Sequence, residues 1–399
     1  MQVLKNKHIL VGVTGSIAAY RIPDLIRSLQ NKGAQVKAIM TKGAQAFITP
    51  LTLSALTRNQ VYTDIFEFHS EYPIIHLNLT DWADLFVIAP ASADIIAKLA
   101  QGMADDLLTS AALGCPRPIL VCPAMNTRMY LNPAVQRNLN ILEKLGFHLM
   151  KPATGNLACG VQGQGRLPDI EDITTWIESF FFPKDLKGYK VLVTAGPTQE
   201  FLDPVRFISN RSSGKMGFAI AKIAAARGAK TILISGPTSL RPSYGVEFIP
   251  VVSCAEMKEA VLSLYEDVDV VIMAAAVADF RPCYVSQKIK KTERLNLELE
   301  KTEDILFVLG QRKRHQLLIG FAAETKDLLK EAQRKLQQKN LDLIVANDVI
   351  QPGAGFESET NKVSLIYRSG ARENWPLMSK EAVAMRLIDR IKRILCRIC

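Results

Sequence analysis

Short apolar runs separated by segments of helical periodicity set the rhythm of this chain. In the first half these runs are Ile9–Val13, Val36–Met40, Leu85–Ala89 and Ile119–Cys122. They show little polar alternation, as expected of strands covered by helices on both faces of a parallel sheet. Segments of helical periodicity lie between them, at Tyr20–Lys32, Ala93–Gly102 and Pro133–Gly146. The last stops at a glycine, a common helix ending. The second half repeats the alternation. Strands are expected at Lys190–Ala195, Thr231–Ser235, Val268–Ala275, Leu317–Ala322, Leu341–Ala346 and Val363–Tyr367, and helices at Lys215–Arg227, Ala255–Tyr265, Lys326–Lys339 and Ser379–Leu395. Strand–helix alternation of this kind predicts α/β architecture. The expected fold is two fused three-layer α/β/α domains, Rossmann- or flavodoxin-like, with mainly parallel sheets.

One stretch breaks the pattern. Residues 151–168 carry Pro152, Gly155, Gly160, Gly163, Gly165 and Pro168, which reads as a long flexible loop and a candidate lid. A helix at Ile173–Phe180 follows, and the boundary is expected between Phe181 and Gly188. The domains are therefore 1–182 and 183–399, a comfortable division of 399 residues. The longest apolar runs, such as Val270–Val277, are far shorter than the roughly 20 residues that span a bilayer. Met1-Gln-Val-Leu-Lys5 leads into the first strand without a signal-peptide pattern. These features predict a cytoplasmic protein with no membrane partner.

Composition narrows the classes further. The seven cysteines (115, 122, 159, 254, 283, 396 and 399) have no repeating spacing, which excludes a disulfide scaffold. Cys396-Arg-Ile-Cys399 stands alone at the chain end and reads as part of an apolar terminal helix. Residues 1–180 hold 15 Lys and Arg against 14 Asp and Glu, whereas residues 181–399 hold 34 against 25. Such a basic half suits nucleic acid or polyphosphate ligands. Its cations are spread over helices and are not interleaved with aromatics, so polyphosphates fit better and no nucleic-acid partner is expected.

Two segments carry the same device. His8–Tyr20 and Lys190–Thr198 each run from an apolar strand into a glycine-bearing loop, and the first continues directly into a helical pattern. Free N–H groups and the positive dipole end at such a helix start suit a phosphate. Val11-Gly-Val-Thr-Gly-Ser-Ile-Ala lacks the third glycine and the downstream acid of the dinucleotide fingerprint, and suits a mononucleotide such as FMN at least as well. Other strand ends should converge on this loop, at Thr41, at Pro90-Ala91-Ser92 and at Pro123-Ala-Met-Asn126. Ser213-Gly-Lys-Met echoes a P-loop, but Ser209 stands where its first glycine is needed and Met216 where Ser or Thr is needed. Three readings stay open on residues alone: a two-step enzyme, an NAD(P)-dependent oxidoreductase, and a non-enzymatic nucleotide- or RNA-binding protein.

Longer motifs favour the first. Pro123-Ala-Met-Asn-Thr-Arg-Met129 resembles the PxMNxxM motif of the homo-oligomeric flavin-containing cysteine decarboxylases. His76 and Ala158-Cys159-Gly160 match that family's active-site histidine and substrate-clamp cysteine. Val161 stands where many relatives have Asp. The second half is similar to a ligase, at Ala195-Gly-Pro-Thr198, Asp203–Gly217, Ala274-Ala-Ala-Val-Ala-Asp279, Lys288-Ile-Lys-Lys291 and Gly320–Thr325. In order and over nearly the whole chain, the motifs resemble the bacterial bifunctional phosphopantothenoylcysteine decarboxylases/phosphopantothenate–cysteine ligases of coenzyme A synthesis.

The resemblance implies specific chemistry and residues. Losing CO2 from an ordinary cysteinyl carboxylate leaves an unstabilised carbanion, and an FMN that first oxidises the thiol avoids it. FMN would lie against Gly15, Ser16, Ile17, Thr41, Pro90, Ala91, Ser92 and Ser110. His76 would serve oxidation and decarboxylation, Asn126 the substrate carboxylate with Met129 nearby, and Cys159 the final proton. The ligase half would activate 4′-phosphopantothenate with CTP as an acyl-cytidylate and couple it to cysteine. The implied CTP positions are Met273, Ala274, Ala275, Asp279, Lys288, Glu303, Asp304, Ile305, Leu306, Phe321, Lys335 and Lys339. Lysines and a divalent cation, Mg2+ or another, would neutralise the triphosphate, with Lys288, Lys290 and Lys291 closing over it and Asp279 as the candidate metal ligand. Arg206 would anchor a phosphate or carboxylate, and Asn210 would handle the acyl-cytidylate. Trimeric decarboxylase contacts and dimeric ligase contacts are implied as well.

Overall fold

The computed structural model describes residues 3–66, 74–156, 160, 162–290, 295–324, 328–348, 355 and 358–398. Two compact units emerge, Met1–Phe181 and Phe182–Cys399. In the first, the chain runs β1 (His8–Val13), α1 (Ile22–Asn31), β2 (Gln35–Met40), α2 (Pro50–Thr57), β3 (Val61–Tyr62), α3 (Ile75–Trp82) and β4 (Leu85–Ala91). It continues through α4 (Ala93–Ala100), α5 (Leu107–Leu113), β5 (Ile119–Pro123), α6 (Thr127–Tyr130), α7 (Pro133–Lys144) and β6 (His148–Leu149). A two-stranded ribbon, β7 (Ala153–Asn156) and β8 (Gln162–Arg166), and α8 (Ile170–Phe180) complete the unit. The sheet order is β3-β2-β1-β4-β5-β6 with every neighbouring pair parallel. All seven residues of β4 are buried, which is why its run shows no alternation.

The segment expected as a flexible loop is instead partly regular. β7 and β8 pair antiparallel, from Ala153 opposite Arg166 to Asn156 opposite Gln162. Two of its glycines answer to close approach. A Cβ on Gly163 would lie 2.4 Å from Thr127 Oγ1, and one on Gly165 2.3 Å from the Met125 carbonyl oxygen. The glycine-rich composition therefore lets the ribbon press on the backbone after β5.

The second unit runs β9 (Lys190–Ala195), β10 (Gln199–Phe201), β11 (Phe207–Ser209), α9 (Lys215–Ala226), β12 (Lys230–Ser235), β13 (Val246–Pro250), α10 (Cys254–Leu264), β14 (Val270–Met273), β15 (Phe280–Pro282) and β16 (Leu299–Lys301). After them come α11 (Ile305–Arg312), β17 (Leu317–Glu324), α12 (Leu328–Gln338), β18 (Leu343–Asp348), β19 (Thr360–Asn361), β20 (Val363–Tyr367), β21 (Arg372–Asn374), β22 (Met378–Ser379) and α13 (Lys380–Ile398). Its main sheet reads β13-β12-β9-β14-β17-β18-β20-β21, parallel as far as β18 and antiparallel beyond. In each unit the first strand and the strand that follows the reversal of direction are neighbours, β1 with β4 and β9 with β14. Such a switch point opens a crevice at the carboxyl ends of the strands. Helix α13 buries Val383, Ala384, Leu387, Ile388, Ile391 and Leu395, an apolar stripe at helical spacing, and packs on α9.

A polar cluster borders this packing. The Glu373 carboxylate accepts hydrogen bonds from Arg390 Nε at 2.9 Å, Tyr367 OH at 2.7 Å and Trp375 Nε1 at 3.1 Å. Arg390 foremost holds the Glu373 carboxyl down to about 2, and burial with the adjacent carboxylate pushes the Tyr367 hydroxyl up to about 12. Glu373 is depressed in the folded state, so its contribution is full above the ordinary glutamate value of 4.5 and is lost as pH falls toward 2. We expect the second unit's melting temperature to drop over that window. Glu373→Gln should flatten the drop and cost about 2 kcal/mol at neutral pH, as thermal unfolding from neutral pH down to about 2 would measure.

Candidate functional site

Each unit carries a cavity at its switch point. In the first, Thr14 ties two strand ends together: its hydroxyl donates to the Pro90 carbonyl at 2.6 Å and accepts from Ser92 N at 2.9 Å. Gly15 follows, and a Cβ there would stand 3.2 Å from the Gly43 backbone, so the loops after β1 and β2 nearly touch. Thr41 N donates to the Val13 carbonyl at 3.0 Å. Ser16 Oγ donates to Ala124 O at 3.2 Å, and Ser92 caps α4 through Ile95 N. Met125 N donates to Gly165 O at 2.9 Å, which docks the glycine ribbon on the Pro123–Asn126 turn. Asn126 Oδ1 accepts from Arg128 N at 2.8 Å and caps the short α6.

The resulting cavity encloses about 550 Å3, ordinary for a small-molecule site. Gly15, Ser16, Ile17, Ser92, Asn126 and Met129 all line it. Thr41, Pro90 and Ala91 are not on that wall. Ser110 is buried on α5, donating to Ala104 O at 3.3 Å. His76 sits half-buried in the first turn of α3 and is not on the wall. Cys159 and Val161 lie outside the described residues. Sequence reasoning missed Tyr20, Arg21, Asn156 and Arg166, which also line the cavity. Both arginines approach Asp169, at 3.6 Å from Arg21 and 3.2 Å from Arg166. Arg166 Nε is buried and finds no hydrogen-bond partner among the described residues. Only the fold of the ribbon brings Arg166 here, so no local pattern could have revealed it.

In the second unit a cavity of about 340 Å3 gathers residues from well-separated segments. Ala276 N donates to Gly196 O at 2.9 Å, joining the loops after β9 and β14. Asn210 Nδ2 donates to Ala276 O at 3.0 Å and approaches Val277 O at 3.3 Å. Thr302 Oγ1 donates to Ala278 O at 2.6 Å, which brings the turn 303–306 to the same rim. Asp304 caps α11 and pairs with Lys339 at 2.7 Å, while Glu303 pairs with Lys258. Met273, Ala274, Ala275, Asp279, Glu303, Asp304, Ile305, Leu306, Phe321, Lys335 and Lys339 line this cavity together with Asn210.

Arg206 and Lys288 are not on that wall but share a different anchor. The buried Asp203 carboxylate accepts from Val205 N and Arg206 N, both at 2.8 Å, and from Ile289 N at 3.1 Å. Burial pushes this carboxyl up, and the amide hydrogen bonds with Arg206 outweigh it and hold it below the ordinary range. Arg206 also donates to Ile289 O at 3.2 Å. Asp203 thus fixes the Arg206 loop beside the Lys288 segment, with Lys288 exposed; Lys291 lies outside the described residues. Among the described residues no three His, Cys, Asp or Glu side chains cluster to hold a metal.

Two doubly wound units, each with a cavity at its switch point, define a protein of the class that binds cofactors or nucleotides at two sites. A flavoprotein family model matches residues 2–182, and the model for the DNA/pantothenate metabolism flavoprotein C-terminal domain matches residues 186–395. The chain is 48% identical over 395 residues to the coenzyme A biosynthesis bifunctional protein CoaBC of Bacillus subtilis, covering 98% of this chain and 97% of that one. Against its Escherichia coli K12 counterpart it is 44% identical over 395 residues, covering 97% of each. The crystal structure of the C-terminal domain of a CoaBC protein is 46% identical and covers 53% of this chain and 98% of its own, with a TM-score of 0.47. That of the FMN-dependent cysteine decarboxylase SpaF is 30% identical and covers 45% and 97%, with a TM-score of 0.39. The chain belongs to the family of bifunctional coenzyme A biosynthesis proteins, with a flavoprotein half and a ligase half.

Proposed function

We propose that residues 1–182 form an FMN-dependent phosphopantothenoylcysteine decarboxylase and residues 183–399 a CTP-dependent phosphopantothenate–cysteine ligase. The observation that carries the ligase reading is the second cavity, where Asn210, Asp279, Asp304, Phe321 and Lys335 meet from five segments. There Asn210 orients the activated acyl group, and the lysines with Mg2+ offset the triphosphate charge. Lys288 and Arg206, held together by Asp203, close over the site, within a dimer that these halves form.

For the decarboxylase, the first cavity fits FMN. Gly15 leaves room for a close approach, Ser16 and Ser92 offer hydroxyls, and the buried Arg166 Nε has a donor to give. Bound flavin supplies reversible two-electron oxidation of the cysteinyl thiol. The chain's own residues then position and protonate: Asn126 holds the substrate carboxylate beside Met129, His76 serves from a trimer neighbour, and Cys159 delivers the final proton. The protein would act in the cytoplasm; among the described residues no helix is long and apolar enough to cross a membrane.

The deciding experiment is a one-pot mass-spectrometric assay with 4′-phosphopantothenate, cysteine, CTP and Mg2+. Appearance of 4′-phosphopantetheine, abolished without CTP, supports both halves. Accumulation of phosphopantothenoylcysteine would leave the ligase alone standing. Cys159→Ser is expected to release CO2 yet stall before the final reduction, leaving an oxidised enethiol product detectable by mass. Normal phosphopantetheine output from that variant would remove the proton-donor role.

A further inference from the structure

The wall of the first cavity carries cations without carboxylates. Arg21 ends the 3-10 turn that begins at Ile17, and Arg166 ends β8. Both line the cavity, whereas no Asp or Glu among the described residues does. Asp169, off that wall at the start of α8, stands between them. Its Oδ1 lies 3.6 Å from Arg21 Nη1 and accepts from Arg166 Nη2 at 3.2 Å. One carboxylate oxygen so placed fixes both guanidinium groups at a common spot, and it takes up few of the five N–H donors that each carries. Arg166 Nε stays buried without a hydrogen-bond partner among the described residues. The Arg21 and Arg166 side chains are 24% and 41% exposed, so a ligand in the cavity can reach both.

A buried guanidinium donor left unmet costs free energy, and a tetrahedral anion can take donors from both arginines at once. The decarboxylase reading brings two phosphomonoesters into this cavity, one on FMN and one on the substrate. The Gly15-Ser16 loop is read as taking the flavin's, and Arg21 stands at the other end of the 3-10 turn from it. We propose that Arg21 and Arg166, held by Asp169, seat the 4′-phosphate of the acyl-cysteine substrate and make this half selective for the phosphorylated form. The seat rests on the decarboxylase reading. With Asn126 at the substrate's carboxylate and the arginines at its phosphate, the molecule is held from both ends and its thiol is kept in place for oxidation. Such a site rejects an analogue that lacks the phosphate, because its own buried donors are then left unpaired.

The test compares phosphopantothenoylcysteine with pantothenoylcysteine as substrates of the full-length, flavin-loaded protein, and 4′-phosphopantetheine with pantetheine in calorimetry. The unaltered protein should favour the phosphorylated member of each pair at least about 100-fold. Arg166→Gln should cut that preference at least about tenfold, chiefly through KM. Arg166→Lys, which keeps the charge and loses the fork, should retain part of it. Arg21→Gln, on the other side of Asp169, should act alike, and it carries the test should Arg166→Gln fail to hold flavin. A preference absent from the unaltered protein, or unchanged in both glutamine variants, overturns the seat. Equal loss with both substrates overturns it too, since the arginines would then serve the carboxylate or the fold. So does weaker retention of FMN relative to riboflavin with the preference intact, which would give the arginines to the flavin's phosphate. Flavin-loaded, unaltered protein that decarboxylates neither substrate would overturn the decarboxylase reading and the seat with it.

Discussion

Asn210→Asp is expected to cut CTP-dependent pyrophosphate release by about 10³-fold, roughly 4 kcal/mol of transition-state stabilisation. Asn210 Nδ2 bridges the Ala276 and Val277 carbonyls at 3.0 and 3.3 Å on the cavity wall. An aspartate of the same shape has no donor to give. It sets a carboxylate oxygen against two carbonyl oxygens, so the side chain must turn away and the loop after β14 loses its tie. It also adds negative charge where a carboxylate and a triphosphate must come together. Decarboxylation of added phosphopantothenoylcysteine should be unchanged, because every residue that lines the first cavity lies before residue 168. Ligase activity within tenfold of the unaltered protein would show that Asn210 is not needed for the acyl-nucleotide.

Gly165→Val should have a comparable effect on the other half. Gly165 has φ +141°, a conformation essentially limited to glycine, and its Cβ would meet the Met125 carbonyl oxygen at 2.3 Å. Valine adds a branched side chain at that contact. The ribbon must lift from the Pro123–Asn126 turn, breaking the Met125–Gly165 hydrogen bond and displacing Arg166 and Leu167 from the cavity wall. The strain is worth about 3 kcal/mol or more. We expect the purified variant to lose most of its flavin absorbance and its decarboxylation to fall at least about 100-fold, with CTP-dependent pyrophosphate release intact. Retention of flavin and activity would show that the ribbon does not form the site.

Most strands were legible because a parallel strand between two helix layers is apolar on both faces, as Leu85–Ala91 shows. The ends were less so. The helix expected from Tyr20 begins at Ile22 after a short 3-10 turn at Ile17–Arg21, with Pro23 in its first turn. The glycine-rich segment misled for a physical reason. Glycine spacing reports conformational freedom and close approach alike, and only the contact with Met125 and Thr127 tells which one applies.

By itself the sequence determined the α/β class and the alternation of strands and helices in each half, and its family motifs named as site residues twelve of the 28 that line the second cavity. Those properties reside in apolar runs and in contiguous motifs whose backbone shape is locally encoded. Tertiary structure alone decided which motifs share a cavity. It set Lys288 beside Arg206 around the buried Asp203, put His76 on α3 off the first cavity's wall, and brought Lys380 to a wall that begins at Asn210. Such pairings depend on strand order and helix packing across more than a hundred residues, and no local pattern of residues records them.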